Sequence, residues 1–156
     1  MRELTYSYQL QDLRKYLLTF LSYQTIRYKE LKTLKGQETL ADDNGRIAFK
    51  YSLGGGYKIS NGWEPLGPAG SYETFGPELS FGRTLQRKNP GNIAIAKFTH
   101  SGSQMNDWTP KGTDAKDRNL YPQFIAFIRE SIRELQAKGH PVELAGIAYH
   151  VGENDM

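Results

Sequence analysis

Between Asn92 and Asp155 the sequence sets two short apolar runs on either side of one long amphipathic segment, an order that few folds accept. The first run, Ile93-Ala94-Ile95-Ala96-Lys97-Phe98, opens after the turn signal Asn89-Pro90-Gly91. A nearly unbroken apolar run, bounded by turn formers and free of Pro, suits a strand covered on both faces, as in parallel sheets. The middle segment, Leu120 to Lys138, places Leu120, Phe124, Phe127, Ile128, Ile132 and Leu135 on one stripe, with Ser131 beside them. Arg129, Glu130, Arg133 and Glu134 fall on the other faces. Asn119 is a candidate N-cap, Pro122 is confined to the first turn, and Gly139 closes the helix. After the short link His140-Pro141 comes the second run, Val142 to Val151. Strand, helix and strand in this order predict a right-handed crossover that leaves the two strands parallel and adjacent.

Both runs stop in small polar residues, His100-Ser101-Gly102-Ser103 and Gly152-Glu153-Asn154-Asp155. In open α/β sheets ligands bind outside the carboxyl ends of the strands. Two such ends on neighbouring strands, about 4.8 Å apart, make the candidate site. The first is followed by a long loop, Gln104 to Arg118, in which Trp108 is placed to wall the site. Loops of this length are usually functional.

Upstream, residues 1–35 read as helical: Leu10, Leu13, Leu17, Phe20, Leu21, Gln24 and Tyr28 recur at three- and four-residue steps with no Gly or Pro before Gly36. Gly36 to Gly45 is a loop, Ile47 to Leu53 a strand, and Gly54 to Gly70 an irregular surface loop holding Trp63. Gly76-Pro77-Glu78 starts a helix, with Glu78 at the positive end of the dipole, Leu79, Gly82 (with Phe81) and Leu85 toward the sheet, and Arg83, Arg87 and Lys88 toward the far end. The 156 residues suit a single domain. A net charge of +3, spread among acids without a basic block, argues against a nucleic-acid partner. The absence of Cys excludes thiolate metal sites and disulfides, and the spacing of His100, His140 and His150 is not that of metal ligands. No stretch is long and apolar enough to span a membrane. The N-terminus lacks the features of a secretory signal, so the chain reads as soluble, with no compartment assigned.

The succession FGPELSFGRTL, IAIAKFTHSGSQMNDWTP, LYPQFIAFIRESIRELQAKG and LAGIAYHVGENDM resembles the sialate O-acetylesterase-like proteins of carbohydrate esterase family six, within the SGNH (GDSL-type) hydrolases. The resemblance covers roughly residues 47–156, leaving 1–46 as a divergent helical N-terminal region of one shortened domain, 1–156. It implies a three-layer α/β/α sandwich with a parallel sheet, of the SGNH or flavodoxin-like kind. It also implies hydrolysis of acetyl esters on sugars such as sialic acid or xylan units, by a Ser nucleophile with an Asp-x-x-His partner. No cofactor is implied; the partner is an acetylated carbohydrate, and such proteins are often periplasmic or secreted.

Carried over by residue, Ser101-Gly102-Ser103 stands where the family has Gly-Gly-Thr, so Gly102 keeps the second glycine and its N–H is assigned to the oxyanion hole. Such a donor is worth about 2.7–4 kcal/mol to the transition state. Val151-Gly152-Glu153-Asn154-Asp155 fits Gly-x-Asn-Asp, and Asn154 would add its side-chain amide, although Val151 replaces the family's Gln. The nucleophile motif Gly-Gln-Ser-Asn has no counterpart: the one Gly-Gln, Gly36-Gln37, continues as Glu38-Thr39, and no Asp-x-x-His occurs. The expectation is therefore an acetylesterase-like chain without turnover of its own.

Other readings attach to the same residues. His150 and Glu153 make either an acid–base pair or a structural strand end, and Ser101 or Ser103 with His150 is a nucleophile–base pair outside any Gly-x-Ser-x-Gly elbow. Trp108 either stacks on a sugar or caps the core, and Glu78 either serves the helix dipole alone or faces the site. The rival functions are a non-catalytic carbohydrate-binding or interaction module on this fold, and a flavodoxin-like binding domain, which would need a Gly-rich phosphate loop that the sequence lacks.

Overall fold

The computed structural model describes residues 15–21, 26–27, 47–54, 56–69, 74–89, 91–113 and 118–150, and for 15–21, 26–27 and 74–75 the backbone alone. In chain order the elements are β1 (Lys15–Leu21), β2 (Ile26–Arg27), β3 (Ile47–Leu53), β4 (Lys58–Ile59), β5 (Glu64–Pro65), β6 (Thr74–Phe75), α1 (Glu78–Lys88), β7 (Ile93–Phe98), a 3₁₀ turn (Met105–Trp108), α2 (Leu120–Ala137) and β8 (Val142–Tyr149). The Gly36–Gly45 loop lies outside the described residues.

The main sheet is mixed. Its long strands run β3-β7-β1-β8, all parallel to their neighbours, while β4 and β5 pair antiparallel with β3. A separate two-stranded antiparallel sheet joins β2 to β6. The departure from the expected all-parallel sheet has a local cause. The link from β3 to β4 is a tight turn through Gly54 and Gly56, both at positive φ, and a link that short can only return the chain antiparallel. The segment 54–70, expected as surface loop, also reaches the interior: Leu66 and Ala69 are buried in the core.

The larger correction concerns the N-terminal region. Residues 15–21, expected in a helix, form β1, which is inserted between β7 and β8. Those two strands are therefore parallel members of one sheet but not adjacent. Lys-Tyr-Leu-Leu-Thr-Phe-Leu is a short apolar run rich in β-formers, and periodicity alone cannot tell such a run from a short segment of buried helix. A slot bonded on both edges settles the choice.

One helix covers each face. Every residue of β7 is buried, and its side chains alternate. Ile93 and Ile95 pack with Ile47, Phe49 and Leu79 of α1, whereas Ala94, Ala96 and Phe98 pack with Leu120, Phe124, Ile128 and Leu135 of α2. The α2 stripe is the one the sequence predicts, with Ser131 fully buried in it and its hydroxyl donating to the Phe127 carbonyl at 2.7 Å. Asn119 occupies the N-cap position of α2 but makes no side-chain capping bond. Its side-chain oxygen accepts the Thr113 N–H at 2.8 Å and so closes the loop that precedes the helix.

Candidate functional site

Four parallel strands deliver their carboxyl ends to one edge of the sheet. In register, Phe98 of β7 lies beside Ser52 of β3, and Leu21 of β1 beside Tyr149 of β8. β7 continues into Thr99, whose N–H donates to the Ser52 carbonyl at 2.9 Å, and the chain then turns through His100, Ser101 and Gly102. Gly102 has φ +66, the left-handed region that a side chain resists, and open space lies where a Cβ would stand. Its N–H makes no hydrogen bond among the described residues. A backbone donor left open at the end of a fully buried strand has the chemistry of an oxyanion or carbonyl contact.

The residues around this turn are tied down. Ser103 is buried, and its hydroxyl accepts the indole N–H of Trp108 at 3.1 Å. The Gln104 N–H donates to Asp107 Oδ2 at 2.8 Å, closing a capping box on the 3₁₀ turn. Arg118, just before α2, donates from Nη1 to the Gly102 carbonyl at 3.1 Å and lies 3.9 Å from Asp107. Trp108 is only 9% exposed and meets Phe98, Phe124 and Tyr149 edge-on or tilted, at ring separations of 5.9, 6.4 and 6.0 Å. Of its two sequence readings, the structure gives the core cap. Stacking on a sugar needs a bare ring face, which Trp108 does not present.

Tyr149 reaches that cluster because of a β-bulge. Between Leu17 and Leu18 the register of β8 advances from Leu144 to Gly146, so Ala145 is the extra residue. The slip reverses the alternation of β8: Val142 packs on the α2 side, Ala148 on the α1 side. The phenol then donates to Met105 Sδ at 3.5 Å. Nothing in the sequence pattern announces this bulge.

On the opposite face, Lys97 and Glu78 form a buried ion pair at 2.9 Å, with side chains 2% and 0% exposed. Glu78 Oε1 also accepts the Gly76 N–H at 2.9 Å, and Oε2 has no hydrogen-bond partner among the described residues. The pair pins the N-terminus of α1 against the last turn of β7. Glu78 thus serves more than the helix dipole, and its carboxylate is spent on the core. A signal was present: Lys in an otherwise apolar, doubly covered run demands a buried acid.

The expected site residues separate as follows. Gly102, Ser101 and His100 share the β7 turn, with Ser101 exposed and His100 Nδ1 at 2.9 Å from the Ser101 carbonyl. Ser103 and Trp108 are bonded to each other beneath it. His150 is exposed immediately after β8. Glu153 and Asn154 lie outside the described residues. The ends of β7 and β8 are two strand spacings apart, roughly 10 Å rather than 4.8 Å. β1 lies between them, with its carboxyl end at the same edge of the sheet. In sequence the residue after Leu21 is Ser22. A helical reading of 1–35 hides that serine as a candidate nucleophile, and Ser22 itself lies outside the described residues. Sequence pattern also misses Arg118, since a lone Arg at the end of a loop carries no signal.

An α/β domain with its open polar turn at the carboxyl edge of a doubly covered sheet belongs to a class shared by many hydrolases and binding proteins. The family described as "Carbohydrate esterase, sialic acid-specific acetylesterase" matches residues 54–156, and the chain belongs to that family. No curated protein and no solved structure matches it.

Proposed function

We propose that this chain carries the carbonyl-binding part of a carbohydrate O-acetylesterase site of the SGNH hydrolase kind, and that it binds sugar acetyl esters without hydrolysing them. The observation that carries this reading is the Gly102 turn: a left-handed glycine with an open N–H, held beyond the carboxyl end of a fully buried strand. In a complete site a serine attacks the acetyl carbonyl and a histidine takes the serine proton and returns it to the leaving sugar oxygen. The Gly102 N–H, with the amide of Asn154, holds the oxygen that becomes negative. Ser101 and His150 border the sugar, and Ser103 and Trp108 form the floor. The 156 residues contain neither Gly-Gln-Ser-Asn nor Asp-x-x-His, which is why turnover is not expected.

The test has two arms. Purified chain is assayed with p-nitrophenyl acetate, and an O-acetylated monosaccharide is compared with its deacetylated parent in a binding titration. The expected result is background hydrolysis with tighter binding of the acetylated sugar. Turnover that disappears in Ser22→Ala would show that the chain supplies its own nucleophile, against the non-catalytic part of the proposal. Equal binding of both sugars would favour a carbohydrate-binding module that does not read the acetyl group.

A further inference from the structure

We infer that Arg118 is a positioning residue for acetyl recognition: its bond to the Gly102 carbonyl sets the turn that presents the Gly102 N–H. The inference rests on the proposed function of that turn. A glycine in the left-handed region is the least restrained residue in a chain, so a turn built on one needs an external tie to hold one orientation. The tie comes from sixteen residues away, where Nη1 of Arg118 reaches the Gly102 oxygen at 3.1 Å. That oxygen belongs to the peptide joining Gly102 to Ser103, so fixing it fixes ψ of Gly102. The guanidinium is itself held. It lies 3.9 Å from Asp107, a residue 4% exposed whose Oδ2 already accepts the Gln104 N–H. Asp107, Arg118 and Gly102 thus link the 3₁₀ turn, the foot of α2 and the end of β7. On the other side of the same peptide, the Ser103 hydroxyl is occupied by Trp108. The Gly102 carbonyl and the Ser103 side chain are both held, while the Gly102 N–H, which belongs to the preceding Ser101–Gly102 peptide, stays open.

The probe is methyl acetate, a neutral acetyl ester, so that loss of the arginine charge does not by itself change its affinity. Isotope-labelled chain is titrated while the Gly102 amide is followed by NMR, and the Gly102 carbonyl carbon shift is recorded without ligand. Arg118→Met should move that carbon shift and weaken methyl acetate roughly tenfold, the size of one hydrogen bond to a charged group. Arg118→Lys should restore most of both, and Asp107→Asn, which leaves the Gly102 bond in place, should lose less than Arg118→Met. An Arg118→Met chain with an unchanged Gly102 carbon shift, or with unchanged methyl acetate affinity, overturns the inference while leaving the site reading intact. Asp107→Asn matching Arg118→Met in both readouts overturns it too, because loop integrity would then be the cause. A wild-type titration that never moves the Gly102 amide removes the site reading and the inference together.

Discussion

Lys97→Met is expected to be among the most damaging single changes in this chain, although it adds an apolar side chain to an apolar strand. Lys97 Nζ lies 2.9 Å from Glu78 Oε1, and neither side chain is more than 2% exposed. Removing the cation leaves a buried carboxylate that, among the described residues, has one N–H partner, from Gly76, on one oxygen and none on the other. Breaking a buried pair on one side costs about 3–5 kcal/mol. At roughly 2–4 °C per kcal/mol for a chain of this size, the midpoint should fall by roughly 6–20 °C. The double variant Glu78→Leu with Lys97→Met removes the stranded charge, and apolar replacement of a whole buried pair is often neutral or stabilising. It should therefore recover most of the loss, apart from about 1 kcal/mol for the Gly76 bond. Urea unfolding of the two single variants and the double gives the coupling directly. A cost below about 1 kcal/mol for Lys97→Met would mean that water reaches the pair, as at exposed ion pairs, and would refute its role in anchoring α1 to β7.

Three further outcomes are expected. Gly102→Ala should cost about 1–2 kcal/mol in stability, from backbone strain alone since nothing lies near the new methyl, and a thermal melt reads it. Gly82→Ala should destabilise despite the better helix former: a Cβ there would come within 2.7 Å of Leu66 and 3.0 Å of Ile95, both buried. The overpacking cost of about 1–3 kcal/mol exceeds the helix gain of about 0.8–1.0 kcal/mol, and urea unfolding that shows a gain would contradict this. Burial first, and then the Glu64 carboxylate, raise the Tyr51 phenol above its ordinary value. The folded state therefore holds this proton more tightly than the unfolded chain. Its contribution is complete below about pH 10 and is lost as pH rises through the folded value. Tyr51→Phe should flatten the alkaline decline in stability measured by urea titration at successive pH values.

Local pattern alone specifies β3, β7, β8, α1 and α2, because each carries a signal strong enough to fix its type: the doubly buried run at Ile93–Phe98, the stripe from Leu120 to Leu135, and Pro77-Glu78 at a helix start. The polar stop at Ser101-Gly102-Ser103 is legible in the same way, since small polar residues at a strand's end mark a turn, whereas the left-handed φ of Gly102 is seen only in the fold. Long-range packing settles what local pattern could not carry. Residues 15–21 have an apolar run compatible with helix or strand, and only the slot between β7 and β8, bonded on both edges, makes it a strand. That insertion separates the two strand ends that the crossover alone would have made neighbours. The bulge at Ala145 turns Tyr149 onto Trp108 and the 3₁₀ turn, and Trp108 in turn goes inward to Ser103. The tie from Arg118 to Gly102 spans sixteen residues. Each of these rests on a contact between segments distant in sequence, whose free energy exists only once both are in place. The pattern of either segment alone is silent on it.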